Sequence, residues 1–163
     1  MSNLNSLAQS AATLIFGATV LASATAYAQS TPFAGLAGVW SGGGTITLED
    51  GSNERIRCRA SYAVGQGGSA MNQTLTCASD SYKFDLRGDL TASGEQLTGS
   101  WSEASRGVSG TLSGRGGNGQ FNLAVTGPGF DATLSLRQSG STQTVSLRSP
   151  GQFKSVNISL KKS

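Results

Sequence analysis

From Leu36 to the C-terminus, apolar and polar residues alternate with a period of two, and the 3.6-residue rhythm of a helix is missing. Successive side chains on a strand point to opposite faces, so this pattern calls for strands with one apolar face each. The stretch SYKFDLRGDL is the clearest case. Tyr82, Phe84, Leu86 and Leu90 share one face, and Lys83, Asp85, Arg87 and Asp89 share the other. Clusters of Gly, Asn, Asp and Ser interrupt the alternation about every ten residues, the spacing of an all-β meander. Short connections such as Gly65 to Ser69 and Gly114 to Gly119 favour antiparallel hairpins, since parallel pairing needs a crossover of a dozen or more residues.

A meander with one apolar face and no helix to cover it must close on itself or fold into two packed sheets. The expected fold is all-β, an antiparallel up-and-down β-barrel of about eight to ten strands, with a two-sheet β-sandwich as the alternative. LAGVWSGGGTITL and LTGSWSEASRGVSGTL each place Gly two residues before Trp. Both read as strands whose indole, Trp40 or Trp101, fills the barrel floor while the glycine makes room for it.

Before the alternation begins, AATLIFGATVLASATAYA ends in Ala26-Tyr27-Ala28, matching a secretory signal peptide with an A-x-A site after Ala28. The segment ahead of it has no Lys or Arg, and the apolar run is too short and too rich in Ala, Ser and Thr for a spanning helix of about 20 residues. The expected organisation is a signal peptide over 1–28, an extended tail over 29–35 and one β-barrel domain over 36–163. The mature chain is then periplasmic or secreted, with no integral membrane span. In an exported chain the two cysteines, Cys58 and Cys77, pair as a disulfide. Metal-binding or catalytic thiols lack support, as there is no histidine and no C-x-x-C spacing.

That disulfide sets a register. With Cys58 opposite Cys77, Ala60 faces Leu75 and Tyr62 faces Gln73 on the inside, while Arg59 faces Thr76 outside. A one-residue slip would put the cysteines on opposite faces, so the bond and the hydrophobic pattern agree. Arg55, Arg57 and Arg59 then form an outer row beside Thr74 and Thr76. Such a row suits docking to carboxylate or phosphate groups. Equally, it suits plain solvation and protection of the sheet, with Asp85 or Glu103 as counter-ions.

Much chemistry is excluded. Without histidine there is no Ser-His or Cys-His nucleophile and no imidazole ligand. Glu49 and Asp50 sit in a turn, and Asp85, Asp89 and Asp131 have outward parity, so no acid and base pair assembles. SGGGT and GRGGNG precede no helix and lack the lysine of a phosphate loop, which leaves them as turns and bulges. A net charge of +3 with both signs mixed gives no nucleic-acid footprint. No cofactor is implied. A binding protein for a small apolar ligand fits best, with Trp40, Tyr62, Tyr82, Phe84 and Trp101 lining the interior. The alternative is a partner for another exported protein.

Leu36-Ala37-Gly38-Val39-Trp40 resembles the opening of calycin-type barrels, the lipocalins and avidins, where Gly-x-Trp on the first strand closes the floor. It is also similar to the start of the small periplasmic metalloprotease inhibitors of bacteria. That second resemblance implies a segment before the barrel, here Gln29, Ser30, Thr31, Pro32 and Phe33, that enters a protease cleft. With WSGGGTITL, ERIRCRA and CASDSYKFDL, the whole mature chain resembles a group of small exported alphaproteobacterial proteins, which implies export and no particular activity.

Overall fold

The computed structural model describes residues 31–163, so the expected signal peptide and the tail residues Gln29 and Ser30 lie outside the described residues. Ten antiparallel strands follow one another: β1 (Gly38–Thr47), β2 (Asn53–Gly65), β3 (Ala70–Ala78), β4 (Lys83–Ser93), β5 (Gln96–Glu103), β6 (Val108–Gly117), β7 (Gln120–Gly127), β8 (Phe130–Ser139), β9 (Thr142–Ser149) and β10 (Phe153–Lys162). Each pairs with the next, and β1 also pairs with β10, so the sheet closes into a barrel with no free edge. A sandwich would keep edges; closure removes them.

Local chemistry sets the hairpins. Asn118 and Gly119 join β6 to β7 with φ of 51° and 75°, the left-handed pair that a two-residue hairpin turn requires. β6 therefore runs on through Gly117 and absorbs most of the connection expected from Gly114. Cys58 and Cys77 are bonded, and Ala60 faces Leu75, Tyr62 faces Gln73 and Arg59 faces Thr76, as the alternation requires.

Several strand glycines stand where a neighbouring backbone approaches closely. A Cβ on Gly42 or Gly44 of β1 would lie 2.1 or 1.8 Å from a carbonyl oxygen of β10, and one on Gly110 or Gly114 of β6 would lie 1.8 or 2.1 Å from a carbonyl oxygen of β7. β1 and β6 stand opposite each other in the ring. The neighbouring backbone comes so close at these positions that only residues without a side chain fit. Near the floor, side chains of strands that are not neighbours meet across the interior, where Tyr62 Oη on β2 donates to Gln143 Oε1 on β9 at 2.9 Å.

One end is plugged by the chain itself. Phe33 and Gly35, assigned from the sequence to an extended tail, belong to a folded cap: Phe33 is buried, and Ala34–Leu36 form a 3₁₀ turn. The Phe33 amide donates to the Gly68 carbonyl at 3.2 Å, and Trp40 Nε1 donates to the Leu36 carbonyl at 2.7 Å. Trp40 has no exposed surface, and the Lys162 ammonium lies 5.5 Å from its ring centroid.

The outer surface is polar. Arg55, Arg57, Arg59, Thr74, Thr76, Lys83, Arg87 and Asp89 all face solvent. A lipid-facing barrel needs an outward apolar band about 25 Å tall. Here the apolar residues point inward instead.

Candidate functional site: the barrel cavity and its mouth

The inward side chains do not fill the barrel. A cavity of about 240 Å³ runs from Phe33 and Leu36 at the plugged floor to Pro128, Phe130 and Gln152 at the other end. Its middle is aliphatic, with Leu75, Leu86, Leu134, Val145 and Leu147 among the walls. These residues are only partly buried although they point inward, because they border the void. A volume of this size exceeds the roughly 150 Å³ that accommodates benzene and falls below the roughly 300–1,000 Å³ of drug-sized pockets. The space suits one or two rings or a chain of moderate length.

Aromatic rings surround the mouth. Tyr82 stacks on Phe84 with centroids 5.8 Å apart, Phe84 meets Phe153 edge-on at 6.2 Å, and Phe130 lies 5.3 Å from Trp101 and 6.4 Å from Phe153. Trp101 Nε1 is satisfied by the Thr126 carbonyl at 3.0 Å, so its indole presents carbon to the interior. Tyr62, Tyr82, Phe84 and Trp101, four of the five aromatics expected to line the interior, border the cavity. Trp40 does not. It is sealed beneath the floor, whereas Trp101, expected to fill the floor, stands near the mouth.

Two polar features interrupt this lining. Near the floor, burial pushes the Tyr62 phenol up to about 12, against a smaller lowering by its hydrogen bond to Gln143. Gln143 is 1% exposed, and its Nε2 has no hydrogen-bond partner among the described residues. At the mouth stands Glu103, 3% exposed and the one buried acid among the described residues. Burial by itself would raise its carboxyl. Hydrogen bonds outweigh that effect and hold it below the usual glutamate range: the Ser105 hydroxyl, the amides of Asp85 at 3.0 Å and Ser105 at 3.1 Å, and the Arg106 amide at 2.7 Å.

Arg106 follows Glu103 in the turn between β5 and β6. Its guanidinium carbon sits 5.1 Å from the Phe84 ring centroid and 6.0 Å from that of Tyr82, and its Nη1 is 3.8 Å from Glu103 Oε2. Glu103, Arg106, Phe130, Phe153 and Gln143 are absent from the candidate set read from the sequence. Parity pointed to the first: Glu103 continues the inward series Leu97, Gly99, Trp101. Gln143 likewise precedes Val145 and Leu147. Phe153 was hidden by a bulge between it and Val156, which reverses the parity of β10.

The outer row is present as expected, with Arg55, Arg57 and Arg59 exposed on β2. Its suggested counter-ions are not. Glu103 points into the barrel, Asp85 accepts from the Thr76 hydroxyl at 3.2 Å, and neither ion pair found among the described residues involves these arginines. Through Ser41 of β1, the row continues from Arg59 to Lys161 of β10.

Among the described residues no group of three or more His, Cys, Asp or Glu side chains gathers to hold a metal ion. No helix among them is long and apolar enough to cross a membrane. The fold defines a class, a closed antiparallel up-and-down barrel of ten strands, consistent with calycin-like architecture. No protein-family model matches the chain, and no curated protein matches it in sequence.

Proposed function

We propose that this protein is an exported, non-enzymatic binding protein that holds a small apolar or amphipathic molecule inside its barrel. The observation that carries the reading is the aliphatic cavity of about 240 Å³, plugged at one end by the Phe33–Leu36 cap and ringed by aromatics at the other. An interior meant only for stability would be packed to about 0.74 density, because each unfilled void forfeits dispersion contacts. The Cys58–Cys77 disulfide supports an oxidising location such as the periplasm or the exterior.

Titration with 1-octanol, followed by tryptophan fluorescence and calorimetry, tests the reading. Saturable binding is expected, and Val145→Phe, which adds bulk to the wall, should weaken it at least tenfold. Absence of saturation, or binding indifferent to Val145→Phe, would overturn it.

The exposed cations favour a second reading, docking to an acidic partner protein through Arg55, Arg57, Arg59 and Lys161. Arg55→Ser/Arg57→Ser/Arg59→Ser should then lose retention on an anionic matrix, while three outward cations changed elsewhere should not have this effect. The protease-cleft role suggested by the inhibitor resemblance is disfavoured at Phe33, which is buried in the floor.

A further inference from the structure

At the mouth, Glu103 and Arg106 differ in how far their hydrogen-bonding capacity is used. A carboxylate offers about four lone-pair sites. On Glu103, Oε1 receives the Asp85 and Ser105 amides and the Ser105 hydroxyl, and Oε2 receives the Arg106 amide. Arg106 has the opposite status. A guanidinium carries five N–H donors, yet none of them makes a hydrogen bond among the described residues, and its nearest carboxylate oxygen is 3.8 Å away. The side chain is 45% exposed and borders the cavity. Its main chain is fixed from both sides, because the Arg106 amide donates to Glu103 Oε2 at 2.7 Å and the Gly107 amide to the Glu103 carbonyl at 3.0 Å. The guanidinium carbon lies over the rings of Phe84 and Tyr82, which hold a guanidinium without using its donors.

From this we infer that the ligand is an anionic amphiphile, a monocarboxylate with a compact apolar body, and that Arg106 receives its head group at the mouth while the body lies in the cavity. The inference rests on the binding reading above and adds the charge and the polarity of insertion. A cationic ligand would meet the Arg106 charge over the Phe84 and Tyr82 rings and an acid that already accepts four hydrogen bonds. A neutral one could offer the guanidinium an oxygen acceptor, but without the charge that makes such a bond strong. Glu103 is a positioning residue in this scheme: it shapes the turn that aims Arg106 and touches no ligand atom.

Three probes with the same tail separate the possibilities: octanoate, 1-octanol and octylammonium, titrated into the purified protein at low salt. A charge-assisted hydrogen bond should make octanoate about tenfold or more tighter than octanol. That preference should vanish in Arg106→Gln and persist in part in Arg106→Lys. Equal binding of octanoate and octanol, tighter binding of octylammonium, or a preference that survives Arg106→Gln would overturn the head-group assignment and leave the cavity reading standing. Failure of all three probes to saturate would overturn both. Should Arg106→Gln not fold, the order of the three probes on the native chain and the behaviour of Arg106→Lys still decide the matter.

Discussion

The two ends of this barrel are built from the same alternating strands and behave oppositely. At the floor, Phe33, Leu36, Trp40, Leu97 and Leu160 are completely or almost completely buried, and the chain itself supplies the stopper. At the mouth, Tyr82, Phe84, Val108 and Phe130 are only partly buried although they too point inward. Alternation decides which way a side chain points; whether it meets anything there depends on what lies across the ring. The floor has a cap and packed indole and aliphatic groups, whereas the mouth has rings around an opening and a charged turn.

The largest expected effect lies at the floor. Trp40→Ala removes a fully buried indole and its bond to the Leu36 carbonyl, and should lower unfolding free energy by about 3 to 5 kcal/mol in denaturant titration. Phe130→Ala at the mouth should cost roughly 1 to 2 kcal/mol, because its ring is only partly buried. Equal losses at the two positions would erase the distinction. Between these values falls the Cys58→Ala/Cys77→Ala pair. Opening a loop with 19 residues of separation should cost about 3 kcal/mol.

Each end also has its own pH limit. The folded state keeps the Tyr62 proton to about pH 12, whereas an unfolded tyrosine loses it near about 10. This contribution is full below about pH 10 and disappears as pH rises through about 12, amounting to about 2 to 3 kcal/mol. Alkaline unfolding should therefore be steep between those values, and shallower in Tyr62→Phe. Glu103 has the opposite sign, since its folded carboxyl ionises below the ordinary range. Its contribution is present above about pH 4.3 and fades as pH falls further. Glu103→Gln should flatten that acid limb and reduce unfolding free energy near neutrality by about 1 to 3 kcal/mol.

The smallest change concerns the polar pair above the floor. Gln143 leaves Nε2 unpaired, and replacing both partners of a buried bond by apolar groups can be nearly neutral. Tyr62→Phe/Gln143→Leu should stay within about 1 kcal/mol of the native protein by thermal unfolding, and Tyr62→Phe alone should be worse than the pair.

Much of this was legible in the sequence, for reasons visible in single residues. Period-two patterning named the inward sets, and Cys58 with Cys77 locked the register of β2 against β3. Lack of helix made closure one of only two ways to bury the apolar face. Reading inward positions by hydrophobicity alone passed over Glu103 and Gln143, which share the parity of Trp101 and Val145. Phe153 lay behind a bulge, and Arg106 in a turn, where parity has no meaning.

What the sequence determined by itself is therefore local: which residues form strands, which face each side chain takes, and where hairpins such as Asn118-Gly119 turn, because these depend on steric and solvation preferences of near neighbours. Tertiary structure alone decided that β1 would meet β10, that Phe33 would plug one end, and that the interior would stay partly empty. Those outcomes depend on distances between residues far apart in the chain, such as Tyr62 and Gln143 or Phe84 and Phe153, which no short-range pattern encodes.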